Sequence, residues 1–502
     1  MSFARIIARG RLGIEAPMVS VEVFISKGLP SLSVVGLPEA AVRESKDRVR
    51  SALIHAGFEF PRHRVVINLG PADLPKEGGR YDLAIAIGLL AASEQIPVEA
   101  TENHEFIGEL SLSGELRGVN GVLAAAMAAN EQQHCLVLAK ANSQEAGLCT
   151  GLTALTAEHL IDVCQYLAGE TQLEPAKHQP SQSSTQTIHD LADVRGQDFA
   201  RRAIEIAAAG QHHMLMVGSP GSGKTMLAER LNTILPKLSL KDAMEIARIY
   251  SCRGQWSADQ WRVRPFRAPH HTASAVALVG GGSRPLPGEI SLAHHGILFL
   301  DEFPQFERRV LEVLREPLES AKIQLSRAAY QTTYPANFQL IAAMNPCPCG
   351  YAEDSKKSCQ CTQEQISRYQ NKISGPLLDR IDLQVRVQPV DHSLLLNKSV
   401  PGESSSIVRQ RVVQAAQIQF DRQGCYNSQL NSTILEKVVI LKDNEKSFII
   451  KAADKLALSA RGLHRLLRVS RTIADLQEST EVQQNHIAEA LAFRLASKPQ
   501  PI

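Results

Sequence analysis

No apolar run in this sequence approaches the roughly 18–20 residues that a membrane span requires. Met1-Ser2-Phe3-Ala4-Arg5 also lacks the apolar core of a signal peptide. A cytoplasmic location with no membrane partner is the expectation. An excess of one charge is missing too. The 54 Lys and Arg residues nearly balance 52 Asp and Glu, leaving a net charge of +2. No global field announces a polyanion, so any basic surface has to be local. A disulfide framework does not suit that compartment, and the nine cysteines are expected as reduced thiols or metal ligands. What remains, 44% hydrophobic and 21% charged residues over 502 positions, describes a globular chain too long for one core. About two to four domains are expected.

Against those absences one stretch stands out. Gly218-Ser219-Pro220-Gly221-Ser222-Gly223-Lys224-Thr225 reads G-x-x-x-x-G-K-T, the phosphate-binding loop. The apolar Met214-Leu215-Met216-Val217 before it suits a buried strand, and Met226 to Leu231 after it suits a helix. Glycines let the backbone turn its N–H groups toward a phosphate chain, and a helix N-terminus adds partial positive charge. Lys224 is suited to the β/γ-phosphates of ATP and Thr225 to Mg²⁺.

Two further apolar runs end in polar groups. Gly296-Ile297-Leu298-Phe299-Leu300 delivers Asp301 and Glu302, the first suited to Mg²⁺ and the second to polarising a water. Leu340-Ile341-Ala342-Ala343-Met344 delivers Asn345, suited to positioning that water. Cys347, Cys349, Cys359 and Cys361 follow closely, a set of four thiols that suits tetrahedral Zn²⁺. The pairs His212-His213, His270-His271 and His294-His295 lack zinc-protease spacing and read as ordinary polar or packing residues.

Residues 1–168 alternate strand-like and helix-like patterns, an α+β domain. Residues 169–187, rich in Gln, Ser, Pro and Glu, read as a linker. Residues 188–390 form the nucleotide-binding α/β core and 391–502 a helical lid, with helical periodicity at 407–418, 430–439, 445–457, 462–476 and 482–496.

The order of the N-terminal pieces resembles the Lon-protease-like (ribosomal S5 domain 2-like) fold. Arg80 stands where Lon-type proteases carry their serine, and Asn120 where they carry their lysine. Without hydroxyl and amine a Ser-Lys mechanism has no parts, so the domain reads as a non-proteolytic scaffold or a DNA-contacting module. In the core, Val194-Arg195-Gly196-Gln197 resembles the segment that sits against adenine in AAA+ ATPases. Arg380, in Leu377-Leu378-Asp379-Arg380-Ile381-Asp382, resembles the arginine finger that reaches a neighbouring subunit's nucleotide. Arg461, in Ser459-Ala460-Arg461-Gly462-Leu463, resembles the second sensor, with Arg465 and Arg468 close by. Arg253, Arg262, Arg264, Arg267 and Arg284 lie in a segment resembling the insert that faces the ring pore in related ATPases, where basic residues suit strand tracking.

Arg267-Ala268-Pro269-His270-His271, Pro287-Gly288-Glu289-Ile290-Ser291, Leu300-Asp301-Glu302-Phe303 and Met344-Asn345-Pro346-Cys347-Pro348-Cys349-Gly350 together resemble the magnesium-chelatase-like AAA+ branch. With the Lon-like domain ahead, the chain resembles the ComM/YifB family over nearly its whole length. The resemblance implies a homohexameric ring, ATP and Mg²⁺ as cofactors, single-stranded and branched DNA as partners together with recombination machinery, and helicase-driven branch migration during natural transformation. Three other readings are weighed against it. A chelatase motor subunit shares the core motifs but normally lacks the Lon-like domain and the cysteine cluster. An ATP-dependent protease is opposed by Arg80 and Asn120. A binding module without turnover is opposed by the intact ATPase motifs.

Overall fold

In the computed structural model, which describes residues 2–36, 40–179, 189–282, 285–327, 330–352, 354, 357–390, 402–456 and 458–494, the alternating N-terminal segments pair as strands. Residues 180–187 of the expected linker, and Arg284 of the basic segment, lie outside the described residues. By their internal contacts the residues fall into two units. The first comprises Met1–Ser184, Leu240–Val263 and Ala328–Tyr334; the second comprises Thr185–Ser239, Arg264–Arg327 and Pro335–Ile502.

In the first unit, β1 (Ser2–Arg9), β2 (Met18–Ser26), β3 (Ser31–Val35) and β4 (Arg64–Gly70) make one half of an eight-stranded sheet. They run in the order β1-β2-β4-β3, with β1 leading on to His104–Ile107, Cys135–Ala139, Ala154–Ala157 and Glu174–Pro175. β2 is antiparallel to both β1 and β4, while β3 is parallel to β4. One face is apolar by alternation: Val19, Val21, Val23 and Ile25 are buried with Val65, Ile67 and Leu69. That face receives the helix Asp82–Ala92, which is buried at every position, as its sequence, apolar throughout after Asp82, requires. Gly88 permits the close approach, since a Cβ there would stand 2.7 Å from Val23 Cγ2.

The helix Leu240–Arg253 lies within the 188–390 stretch of the sequence yet clusters with this first unit. Its Ala247 packs with Leu123 and Leu148, and the Ser251 carbonyl accepts from the Gly121 amide at 3.0 Å. Arg80 sits just before the Asp82–Ala92 helix, 5% exposed, and burial pushes its guanidinium pKa down. Asn120 stands on the turn ending at left-handed Gly121 and lines a cavity of about 340 Å³ with Glu145, Ser251 and Trp256.

The second unit is built on a five-stranded, wholly parallel sheet. Its order is Phe266–Arg267, Ile297–Leu300, Gln339–Met344, Met214–Val217, Leu383–Arg386. The second, third and fourth of these strands are buried at every position, which is why they read as continuous apolar runs without alternation. The order matters for chemistry. The strand ending at Asn345 lies between the strand of the phosphate loop and the strand of the two acids, so all three deliver their groups side by side at one rim.

Five helices follow among the described residues: Ser405–Gln423, Ser432–Val438, Asp443–Lys455, Ala460–Leu476 and Gln484–Ala492. The first runs past its expected end at Ile418 and stops at Gly424, whose φ of +73° caps the helix left-handed. No described helix is long and apolar enough to cross a membrane.

Candidate active site

The loop Gly218–Thr225 curls as its glycines permit. Gly221 and Gly223 adopt φ of +77° and +86°, a conformation that favours glycine, and the helix Lys224–Ile234 starts immediately after. Gly218 allows a backbone contact, since a Cβ there would meet the Val387 carbonyl at 2.3 Å. Lys224 is folded back into the loop. Its Nζ donates to the carbonyls of Gly218 at 2.8 Å and Ser219 at 3.0 Å, and to Asn345 Oδ1 at 3.3 Å. Burial pushes the Lys224 pKa down and the charge of Asp301 opposes that shift. Gln197 clamps the loop from behind, donating to the Ser222 carbonyl at 2.8 Å and the Gln388 carbonyl at 2.9 Å.

Thr225 Oγ1 donates to Asp301 Oδ2 at 3.0 Å, which joins the two groups suited to Mg²⁺. Asp301 Oδ1 accepts from the Glu302 amide at 2.8 Å. Glu302 itself has φ of +51°, a left-handed backbone that costs about 1 kcal/mol or more in a non-glycine residue. Its carboxylate meets His271, with Nδ1 to Oε2 at 3.0 Å. Burial pushes the Tyr369 hydroxyl up to about 12, although it accepts from the Asn345 amide.

The four thiols converge next to this site. Cys347 Sγ lies 3.3 Å from Cys349 Sγ and 3.7 Å from Cys359 Sγ; Cys349 and Cys359 are 3.5 Å apart, and all four sulfurs fall within 4.8 Å of one another. Tetrahedral Zn–S bonds of about 2.3 Å put sulfurs about 3.8 Å apart, so the donor set fits zinc. The Tyr351 and Gln360 amides pull the Cys349 thiol down, while backbone hydrogen bonds at Cys359 and Cys361 are outweighed by burial and the neighbouring sulfurs, which push both up, as expected of thiols crowded together. The loop also touches the phosphate loop directly: Gly350 has φ of +88°, and a Cβ there would stand 2.6 Å from Pro220 Cδ.

Lys224, Thr225, Asp301, Glu302 and Asn345 are thus neighbours. Arg380 and Arg461 are not bonded to them among the described residues. Both turn to Glu319 instead. Arg380 is buried, paired with Glu319, and donates to the Pro376 carbonyl at 2.6 Å. Arg461 Nη1 is 3.9 Å from Glu319 Oε1 and its side chain is 68% exposed. Arg465 instead donates to buried Asp382 at 3.1 Å. Burial pushes that carboxyl up, but the His212 hydrogen bond and the Arg465 charge outweigh it and hold the group below the usual range.

The histidine pairs separate into different roles. His212 bridges Asp382 and Thr472 in the interior, at 3.2 and 2.8 Å. His213 accepts from the Leu340 amide at 3.0 Å, and burial pushes it down to about 4. His294 accepts from the Asn337 amide at 3.0 Å. His271, read from sequence as an ordinary polar residue, lies against Glu302, Nδ1 to Oε2 at 3.0 Å. The signal lies in the strand pairing: Phe266–Arg267 lies parallel to Ile297–Leu298, which brings the following loops together.

Three family profiles match the chain. "Magnesium chelatase, subunit ChlI" covers residues 190–395, "Subunit ChlI of Mg-chelatase" covers 21–142, and "Magnesium chelatase, subunit ChlI C-terminal" covers 402–494. The chain is 49% identical over 496 residues to the uncharacterised protein YifB of Escherichia coli (strain K12), covering 98% of this chain and 97% of that one. It is 48% identical over 499 residues to the competence protein ComM of Haemophilus influenzae, covering 98% of each. A shorter match, 26% identical over 225 residues, reaches the maternal DNA replication licensing factor mcm6 of Xenopus tropicalis, with 42% of this chain and 25% of that one covered.

Proposed function

The chain belongs to the magnesium-chelatase-like ComM/YifB family, and we propose that it is an ATP-hydrolysing DNA motor, a hexameric helicase that promotes branch migration when incoming strands recombine during natural transformation. The observation that carries this reading is the hydrolytic constellation at one rim of the parallel sheet, with Lys224 bonded to Asn345 and Thr225 bonded to Asp301. The similarity to a competence protein supports the direction of use.

In this reading Lys224 exchanges the loop carbonyls for the β/γ-phosphates of ATP, and the amides of Gly218–Thr225 hold the phosphate chain. Thr225 and Asp301 would hold Mg²⁺, which when bound would supply positive charge against the phosphates of ATP. Glu302 accepts the proton of the attacking water and Asn345 orients that water. Arg380 leaves Glu319 to reach the nucleotide of an adjoining subunit, where its fork of donors suits a developing negative charge. Arg461 senses the nucleotide from the lid. Cys347, Cys349, Cys359 and Cys361 hold one structural zinc per chain, and the domain at 1–168 is a non-proteolytic module.

The test is ATP turnover with and without single-stranded and branched DNA, alongside Lys224→Ala, at fixed low salt because phosphate contacts are salt-sensitive. DNA should raise turnover and the variant should be inactive; a branched substrate should then be resolved only by the active protein. Turnover indifferent to every DNA sinks the DNA reading. It would favour a second one, a protein-remodelling motor of the chelatase kind, which the three ChlI profiles support.

A further inference from the structure

The face of the first unit's sheet turned away from the Asp82–Ala92 helix carries aromatic side chains in register. Phe3 on β1 stands opposite Phe24 on β2, Phe24 opposite Val66 on β4, and Val66 opposite Ser33 on β3. One step along the strands the next row is Arg5, Glu22, Asn68 and Val35. Alternation sends the neighbours of these residues to the buried face, so packing within the unit does not call for aromatics here. Yet Phe3 is 59% exposed and Phe24 39%. Large apolar groups left together on a surface mark a contact.

The charge around them is predominantly positive. Arg5 and Arg64 project beside the phenylalanines, with Lys27 and Arg62 exposed at the same end. Glu22 is the one acid among residues 2–9, 18–35 and 62–70, and it is engaged by Asn68 Nδ2 at 2.9 Å. An open antiparallel platform with two exposed phenylalanines opposite each other in register, flanking arginines and amide groups has the chemistry that receives unstacked bases and their phosphates.

We propose that the outer face of β1, β2 and β4 binds single-stranded DNA, with bases stacking on Phe3 and Phe24 and phosphates held by Arg5 and Arg64. The inference rests on the DNA-motor reading and adds to it a second strand contact, outside the ATPase sheet.

The full chain, saturated with a non-hydrolysable ATP analogue, is titrated into a fluorescein-labelled oligothymidine at fixed low salt. Phe3→Ala/Phe24→Ala is compared with Phe3→Tyr/Phe24→Tyr, and each protein's assembly is followed by sedimentation. The alanine pair should weaken binding at least about fivefold, the lower end of what one stacked base contributes, at unchanged assembly, while the tyrosine pair binds as the parent does. A bromodeoxyuridine oligonucleotide cross-linked to the parent protein should leave adducts within residues 2–9 or 18–26, a readout that does not depend on any variant folding. Unchanged affinity of the alanine pair, or adducts confined to other segments, overturns the proposal and leaves the motor reading standing. Loss of assembly in the alanine pair overturns it in favour of a second copy of the chain as occupant. A parent protein that binds no oligonucleotide overturns both readings.

Discussion

His271 Nδ1 lies 3.0 Å from Glu302 Oε2, so the acid suited to polarising water is held by a side chain from a different strand end. Glu302 has an unusual left-handed backbone and half-exposed carboxylate, and one hydrogen bond fixes the direction in which it points. Removing that bond in His271→Ala should lower kcat by about ten- to a hundredfold, the range expected for a hydrogen bond to a charged group worth about 1.5–3 kcal/mol. The KM for ATP should change little, because the phosphate loop is untouched. Steady-state kinetics read both constants; a rise in KM at constant kcat would assign His271 to binding instead.

Arg380 and Glu319 pair within the subunit, and a finger acting on a neighbour has to break that pair. Arg380→Ala should be nearly inactive alone, as should Lys224→Ala. Mixed rings should recover about a quarter of parental turnover, because in a head-to-tail ring an intact loop and an intact arginine then meet at one interface in four. No recovery on mixing, with mixed rings verified by mass, would assign Arg380 to the fold of its own subunit.

The cysteine loop and the phosphate loop touch through Gly350 and Pro220. Metal analysis of protein purified without chelator should find about one zinc per chain, and Cys349→Ser should lose it. Because metal binding is coupled to local folding, the same variant should melt several degrees lower and raise the KM for ATP severalfold. Zinc-free parent protein with normal melting and turnover would dismiss a structural metal.

Burial lowers His213 from its ordinary 6.5 to about 4. The unfolded chain therefore binds a proton that the folded chain refuses between those values, and folding stability is lost as pH falls from about 6.5 to about 4. Above pH 6.5 this residue contributes no slope. His213→Asn retains an acceptor for the Leu340 amide without a titrating ring, so its stability should fall less steeply than the parent's across that window. Chemical denaturation at several pH values measures the two slopes; parallel curves would show that His213 is protonated without penalty.

The phosphate loop, the acids and Asn345 are legible in sequence because each follows a short, wholly apolar strand. That local signal survives without knowing the strand order. The relationships that depend on order are not legible. Nothing in the spacing of His271 and Glu302 joins them until Phe266–Arg267 is seen parallel to Ile297–Leu298. Glu319, where Arg380 and Arg461 meet, lies in a stretch with no motif of its own. Asp382 stands two residues after Arg380, yet its partners are the distant His212 and Arg465. The attachment of Leu240–Val263 to the first unit is also silent, because an amphipathic helix shows that it has an apolar face and does not show what covers it.

The contact of Gly350 with Pro220 also has an evolutionary consequence. A methyl group at position 350 would meet the proline ring at 220 and would sit on a backbone with φ of +88°, so Gly350 is fixed by backbone and neighbour together, whereas Pro220 can become smaller on its own. Among homologous sequences, a side chain larger than hydrogen at the position of Gly350 should appear only together with something smaller than proline at the position of Pro220. The history of position 350 would then depend on position 220, although more than a hundred residues (350 − 220 = 130) separate them along the chain.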